Sequence, residues 1–139
     1  MPYNPLLIKP MREELTSIGV EELTTAEQVD AWMNNKTGTA LLIVNSVSSA
    51  AASGARPGVR QALGNNRKPT RVATVFEGQD PEATARARGY FMDVPPSDPS
   101  MAFFRHGELV AFIPRHRIEG RTVEDVAREL VSMFNEYCE

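Results

Sequence analysis

The chain has 139 residues, of which 42% are hydrophobic and 24% charged, and its formal net charge is −3. This is the composition of an ordinary globular protein, and the scattered lysines and arginines lack the basic footprint that nucleic-acid binding requires. No apolar run is long enough to span a membrane. We therefore expect one domain over residues 1–139, with no nucleic acid and no membrane as partner.

A single cysteine, Cys138, excludes an internal disulfide within the chain. This cysteine usage is typical of proteins in a reducing cytosol. The N-terminal residues also lack the apolar segment of a signal peptide. We therefore expect a cytoplasmic protein.

Two helices are predicted before the first clear strand. Apolar residues recur at helical spacing from Leu7 onward, and because proline disfavours a helix interior we expect that helix to begin near Pro10. The second helix is predicted to be capped by Thr24 or Thr25 and to run to about Lys36.

The first clear strand, Leu41 to Asn45, is a continuous apolar run, which is typical of a strand covered on both faces. It leads into a tract of small residues, after which we expect a helix from about Arg56 or Pro57 to Leu63. A strand that ends in such a loop at the start of a helix is a common place for chemistry in α/β proteins.

The second half of the chain continues with a strand, a helix, a hairpin and a last helix. The strand is Arg71 to Phe76, and Asp80 is predicted to cap the helix that follows it. Two apolar runs around a turn with glycine, Met101 to Phe104 and Leu109 to Ile113, predict the hairpin. Thr122 then caps the terminal helix. This order predicts an α/β thioredoxin-like fold in three layers, with a central mixed sheet flanked by helices and an N-terminal helical extension.

A proline and a glycine have a spacing that thioredoxin-like folds share. In such folds a cis-proline opens the strand that faces the active site, and a glycine follows eight positions later in the hairpin turn. Pro99 and Gly107 are spaced in this way. We therefore expect a cis bond after Asp98 and a backbone that is open to a bound peptide there.

Several stretches of the chain resemble the bacilliredoxin family. They are NSV (residues 45–47), ARPG (55–58), TVFEGQDPEAT (74–84), PPSDPSMAFF (95–104) and FIPRHRIEG (112–120), and PMREELTSIGVEELTTAEQV (10–29) is similar too. The resemblance covers nearly the whole chain. It implies a thioredoxin-fold protein that acts on mixed disulfides between proteins and the small thiol bacillithiol.

The family's motif is Cys-Gly-Cys directly after Asn-Ser-Val, and here Ser48, Ser49 and Ala50 stand in its place. By the resemblance, the first cysteine takes bacillithiol from the mixed disulfide and the third residue can resolve the product. Exchange requires a thiolate, and a serine hydroxyl is too weak an acid to replace it. We therefore expect Ser48 and Ser49 to be caps or turn residues and the chain not to catalyse the family reaction.

The resemblance also implies a set of substrate-binding residues around the motif. Bacillithiol carries carboxylates, and Arg56 beside the loop is the preferred cation for them. Arg115, His116 and Arg117 are expected to be solvated surface charges. The full expected binding set is Asn45, Ser49, Arg56, Asp98, Pro99 and Ser100.

Cys138 is expected at the frayed end of the last helix, as an inert terminal residue rather than a redox sensor or a dimer link. The helix dipole raises a thiol pKa there. A metal site built from His106, His116 and Cys138 would match no ligand pattern. We expect neither a metal nor a cofactor.

Three functions stay open. The first is a bacilliredoxin scaffold without catalytic cysteines, whose partners are bacillithiolated proteins or bacillithiol. The second is a non-catalytic module that binds a peptide or a low-molecular-weight thiol in the groove beside Asp98. The third is a serine hydrolase, which needs a base that the sequence does not show, since there is no GxSxG elbow and both histidines lie in or near hairpin turns.

Overall fold

The computed structural model describes residues 3–138, which form five strands and five α-helices. The strands are β1 (Glu21–Glu22), β2 (Thr39–Asn45), β3 (Arg71–Phe76), β4 (Ser100–Arg105) and β5 (Glu108–Ile113). The helices are α1 (Pro5–Thr16), α2 (Ala26–Asn34), α3 (Arg56–Ala62), α4 (Pro81–Arg88) and α5 (Val123–Tyr137). A π-helical turn (Ala51–Ala55) precedes α3, and 3₁₀ turns span Gly89–Phe91 and Arg115–Arg117.

The strands form one mixed sheet in the order β1-β3-β2-β4-β5. The central strand, β2, is parallel to β3 and antiparallel to β4, and all of its residues are buried. Its side chains alternate between two separate apolar clusters. Leu41 and Ile43 belong to the cluster with α3 and α5, and Leu42 and Val44 belong to the cluster with α2 and α4. Helices therefore cover both faces of the sheet, in the three layers that the sequence predicts.

The two-residue strand β1 is the one strand that the sequence does not predict. Glu21 pairs with Ala73 and Glu22 with Thr74, parallel to β3. Glutamate has a low β-propensity, and two residues are too few to show alternation. Because β1 is a strand of the sheet and precedes α2, the helix α2 connects two strands of the sheet, β1 and β2. Only α1 is therefore an N-terminal extension.

The predicted start of the first helix near Pro10 was wrong, because α1 begins at Pro5 and contains Pro10. The Asn4 side chain accepts a hydrogen bond from the Leu6 N–H and so caps the helix. Proline removes only the bond to the Leu6 carbonyl. Leu6 is largely exposed, so water can replace the missing donor there.

Four strand ends meet at one edge of the sheet. Asn45, the last residue of β2, pairs with Phe76, the last residue of β3. On the other side of β2, Val44 pairs with Ser100, the first residue of β4, and β5 ends at Ile113 beside it. We call this edge, together with the segments that flank it, the site edge; the segments are the loop 46–48 with the first helical residues 49–50, and the loops 77–80, 97–99 and 114–117.

The packing of α3 against α5 depends on Gly58. A Cβ at this position would lie 2.6 Å from Cγ1 of Val126 in α5. Overpacking of this kind costs about 1–3 kcal/mol, from which the roughly 1 kcal/mol that alanine gains over glycine in a helix is subtracted. We expect Gly58→Ala to lower the free energy of unfolding in urea by up to about 2 kcal/mol. Gly89→Ala is the control, because nothing lies within 4 Å of a Cβ there; equal losses in both variants would contradict the packing explanation.

Candidate functional site

Ser48 caps the helical segment that follows β2. Its Oγ accepts a hydrogen bond from the Ala51 N–H at 3.2 Å and lies 2.8 Å from Ser46 Oγ. The Ser48 carbonyl accepts a further bond from the Ala52 N–H at 3.1 Å. The predicted capping role of Ser48 is therefore confirmed, and its side chain is half-buried at the site edge.

The next helix, α3, begins at Arg56 as predicted, but helical backbone already begins at Ser49 and reaches α3 through the π-helical turn. The Ser/Ala/Gly composition of residues 46–55 suggests a loop. These small residues instead allow close packing, since a Cβ at Gly54 would lie 3.0 Å from Cγ2 of Ile118. Tertiary contact, rather than a local signal, makes this tract helical.

The three residues in place of the family motif have different surroundings. Ser48 is half-buried and Ser49 is exposed, whereas Ala50 is 4% exposed and belongs to the apolar cluster between the sheet, α3 and α5. A ligand at the site edge can therefore reach positions 48 and 49 directly. Position 50 lies beneath them.

Arg56 lies under the loop that follows β2 and is 2% exposed. Its Nη1 donates to Asn45 Oδ1 at 2.9 Å and to the Ser46 carbonyl at 2.8 Å. Its Nε donates to Glu14 Oε2 of α1 at 3.1 Å. Asn45 in turn accepts a bond from the Ser46 N–H. The guanidinium thus joins α1, α3 and the end of β2 from inside the protein.

The loop before β4 forms the other side of the site edge. The Asp98–Pro99 bond is cis, as predicted. The Ser97 carbonyl accepts bonds from Ser100 Oγ at 2.9 Å and Arg88 Nη2 at 3.3 Å, and the Asp98 carbonyl accepts one from Arg115 Nη1 at 3.3 Å. Of the predicted binding residues in this loop, Asp98 is half-buried, whereas Pro99 and Ser100 are buried.

Arg88 and Glu77 connect the two sides of the site edge, and sequence reasoning missed both. Arg88 Nη1 donates to Glu77 Oε2 at 2.6 Å, and the Glu77 N–H donates to the Asn45 carbonyl at 2.9 Å. Arg88 Nη2 also lies 4.0 Å from Asp98 Oδ1. Only the sheet register brings these residues together, so no local pattern could have revealed them.

No nucleophile–base pair is present at Ser48. Among residues 3–138 its Oγ has Ser46 Oγ and the Ala51 N–H as partners, and neither is a base. His106 lies in the hairpin turn at the opposite edge of the sheet, where Arg105 pairs with Thr39. Within that same part of the chain, no group of three or more His, Cys, Asp or Glu residues is arranged to hold a metal ion, and no helix is long and apolar enough to cross a membrane.

The expectation of a frayed Cys138 was wrong, because the residue is 4% exposed. Its Sγ lies 3.4 Å from Thr39 Oγ1, and the side chain belongs to the same apolar cluster as Ala50. Burial raises the pKa of the Cys138 thiol above its ordinary value of 9.0, against smaller opposing effects of Thr39 and Arg67. A buried and protonated thiol is a core side chain.

Known proteins are similar to this chain in sequence and in fold. A family model described as "Disulphide isomerase" matches residues 3–138. Bacilliredoxins from Koribacter versatilis and Halalkalibacterium halodurans are 49% and 46% identical to the chain, over 98% and 99% of its length and 94% and 95% of theirs. A Fasciola hepatica thioredoxin structure aligns with a TM-score of 0.56 at 17% identity, covering 83% of this chain and 99% of that one. A mutant thioredoxin from Halobacterium salinarum gives 0.59 at 13% identity, covering 86% and 90%. The chain therefore has the predicted thioredoxin fold.

Arg56 supports the loop through buried hydrogen bonds, so its loss should destabilise the whole fold. Methionine has a similar length but leaves the Ser46 carbonyl without the Arg56 donor and Asn45 Oδ1 with the Ser46 N–H alone. We expect Arg56→Met to lower the free energy of unfolding by roughly 2–4 kcal/mol, measured in urea. Arg60→Met, on the exposed side of the same helix, should change it by less than about 0.5 kcal/mol. Similar effects of the two substitutions would refute the supporting role of Arg56.

The raised pKa of Cys138 predicts a dependence of stability on pH. The folded state favours the protonated thiol, so its contribution is complete below the unfolded-state pKa near 9 and falls as pH rises towards the folded pKa. We expect the difference in unfolding free energy between the native chain and Cys138→Ala to fall as pH rises above the unfolded-state pKa near 9. A difference that stays flat over that rise in pH would show that the thiol is not buried.

Proposed function

This chain belongs to the bacilliredoxin family, and we propose that its site edge binds mixed disulfides of bacillithiol without carrying out thiol exchange. It has the scaffold of a thiol–disulfide oxidoreductase. The observation that supports the proposal best is the position of Ser48, whose Oγ accepts the Ala51 N–H at the start of a helix. A thiolate in this place would be stabilised by the donor and by the helix N-terminus.

The roles that we propose follow the family reaction. In that reaction a thiolate at position 48 attacks the bacillithiol sulfur of the mixed disulfide, the bond to the client sulfur breaks, and the client leaves as a thiolate. A thiolate at position 50 then attacks the sulfur at position 48, and bacillithiol leaves while an internal disulfide forms. The client is reduced and the two cysteines are oxidised. Ser48 and Ala50 can do neither step, because no sulfur is present to form or to receive either bond.

The binding role rests on what surrounds these two positions. Ser49 is exposed and Asp98 half-buried on either side of the site edge, and the residues beneath them, Asn45, Arg56, Pro99 and Ser100, are buried. We propose that bacillithiolated proteins or bacillithiol are the partners. One cysteine in the chain also favours a reducing compartment, and we infer that the protein acts in the cytoplasm.

Restoring the two cysteines should restore the reaction. We expect Ser48→Cys with Ala50→Cys to release bacillithiol from a bacillithiolated protein in a single turnover, measured by mass spectrometry. Ser48→Cys alone should take up bacillithiol and retain it, since nothing resolves the product. The pKa of the new thiol at position 48 should lie below the ordinary value of about 8.5.

Ser53→Cys is the matched control, because Ser53 is an exposed serine one turn further along the same helical segment. A thiol there has no capping donor, and we expect the client disulfide to react at most slowly with it. The proposal fails if the double variant folds, contains both free thiols and leaves the mixed disulfide intact.

A further inference from the structure

Three arginines donate hydrogen bonds to backbone carbonyls in the loops of the site edge, and their side chains differ in burial. The side chains of Arg56, Arg88 and Arg115 are 2%, 24% and 40% exposed. Arg56 has three internal acceptors, and Arg88 is held between Glu77 and the Ser97 carbonyl. Arg115 is therefore the cation of this group that a ligand in solvent can reach most easily.

Arg115 is fixed directly against the loop that contains Asp98. Its N–H donates to Ser97 Oγ at 3.2 Å, and its Nη1 donates to the Asp98 carbonyl at 3.3 Å. These contacts place one side of the guanidinium beside the residue that precedes Pro99. The strand register puts the same residue at the edge where β2 ends and Ser48 follows.

The other side of the guanidinium is bound to a carboxylate that can be exchanged. Arg115 Nε and Nη2 lie 2.9 Å and 2.8 Å from Glu119 Oε2, and the Glu119 side chain is 57% exposed. An ion pair this open to water contributes little to stability. A carboxylate from a ligand at the site edge can therefore take the place of Glu119 at small cost, and a guanidinium fork is well suited to hold it.

We propose that Arg115 is a specificity-determining residue that binds a carboxylate of the small thiol in the mixed disulfide, with Glu119 as its resting partner. The inference rests on the proposed function, and it assigns to Arg115 the role for which the sequence favoured Arg56. A ligand carboxylate would have to displace two buried hydrogen bonds, or the ion pair with Glu14, to reach Arg56, which is itself 2% exposed. At Arg115 it displaces one exposed ion pair.

The test uses the variant with Ser48→Cys and Ala50→Cys and one carrier protein with two different adducts. One adduct is bacillithiol, which carries carboxylates, and the other is cysteamine, which carries none. We expect Arg115→Gln to slow the removal of bacillithiol about tenfold and to leave the removal of cysteamine within about twofold. Glu119→Gln should speed the removal of bacillithiol roughly two- to threefold, because the competing carboxylate is gone.

Arg117→Gln is the matched control, since Arg117 lies on the same 3₁₀ turn, is similarly exposed and pairs with Glu129. We expect it to change neither rate. If Arg115→Gln slows both adducts equally, Arg115 only supports the loop and the inference is overturned. It is equally overturned if neither rate changes.

A second measurement separates this inference from the proposed function. If the cysteine variant cleaves neither adduct, the proposed function fails, and titration of the native chain with bacillithiol, followed by NMR, decides the role of Arg115. Chemical shifts that move at residues 97–98 and 115 in the native chain, and no longer in Arg115→Gln, would support it. An absence of shifts in the native chain would refute it.

Discussion

A buried guanidinium fixes the end of the central strand against the helices around it. Arg56 of α3 donates to Asn45 and Ser46 at the end of β2 and pairs with Glu14 of α1. Placing an arginine inside a protein is costly unless hydrogen bonds are provided for it. All three partners must therefore be in position together. The loop that they hold is the one in which Ser48 caps the following helix, so the geometry at position 48 is set from below.

Two further arginines bind loops of the site edge in the same way, and each is less buried than Arg56. Arg88, between Glu77 and Ser97, ties the loop after β3 to the loop before β4. Arg115 contacts the same loop from the turn after β5, but its carboxylate partner lies in solvent. The more deeply an arginine is buried, the more it defines backbone position and the less it can offer to a ligand. Position in the fold thus decides which of three identical side chains supports the backbone from inside and which is open to solvent.

Sequence reasoning succeeded where the signal is local. The apolar run of β2, the caps at Thr25 and Thr122 and the turn at His106 and Gly107, both with positive φ, follow from neighbouring residues. It failed where partners come from distant parts of the chain. The strand β1, for example, is formed by pairing with β3, which lies about fifty residues later in the chain.

Two side chains illustrate the same limit. Asp80 precedes α4 as predicted but makes no capping bond, because its carboxylate accepts from Arg12 at 2.8 Å. Cys138 is buried because it packs near Thr39 of β2. Arg56 and Arg115 both lie beside a loop in the sequence, and burial is what distinguishes them in the structure.

The two positions that lack sulfur can be understood from stability. At position 48 the start of a helix favours an anion, whereas position 50 lies in an apolar cluster that favours a neutral group. Two thiols in these places would ionise at different pH values, and the outer one would react first. Serine is among the best capping residues and alanine is the best helix former. Ser48 therefore stabilises the start of the helix by capping it, and Ala50 fills its place in the core without burying a polar group.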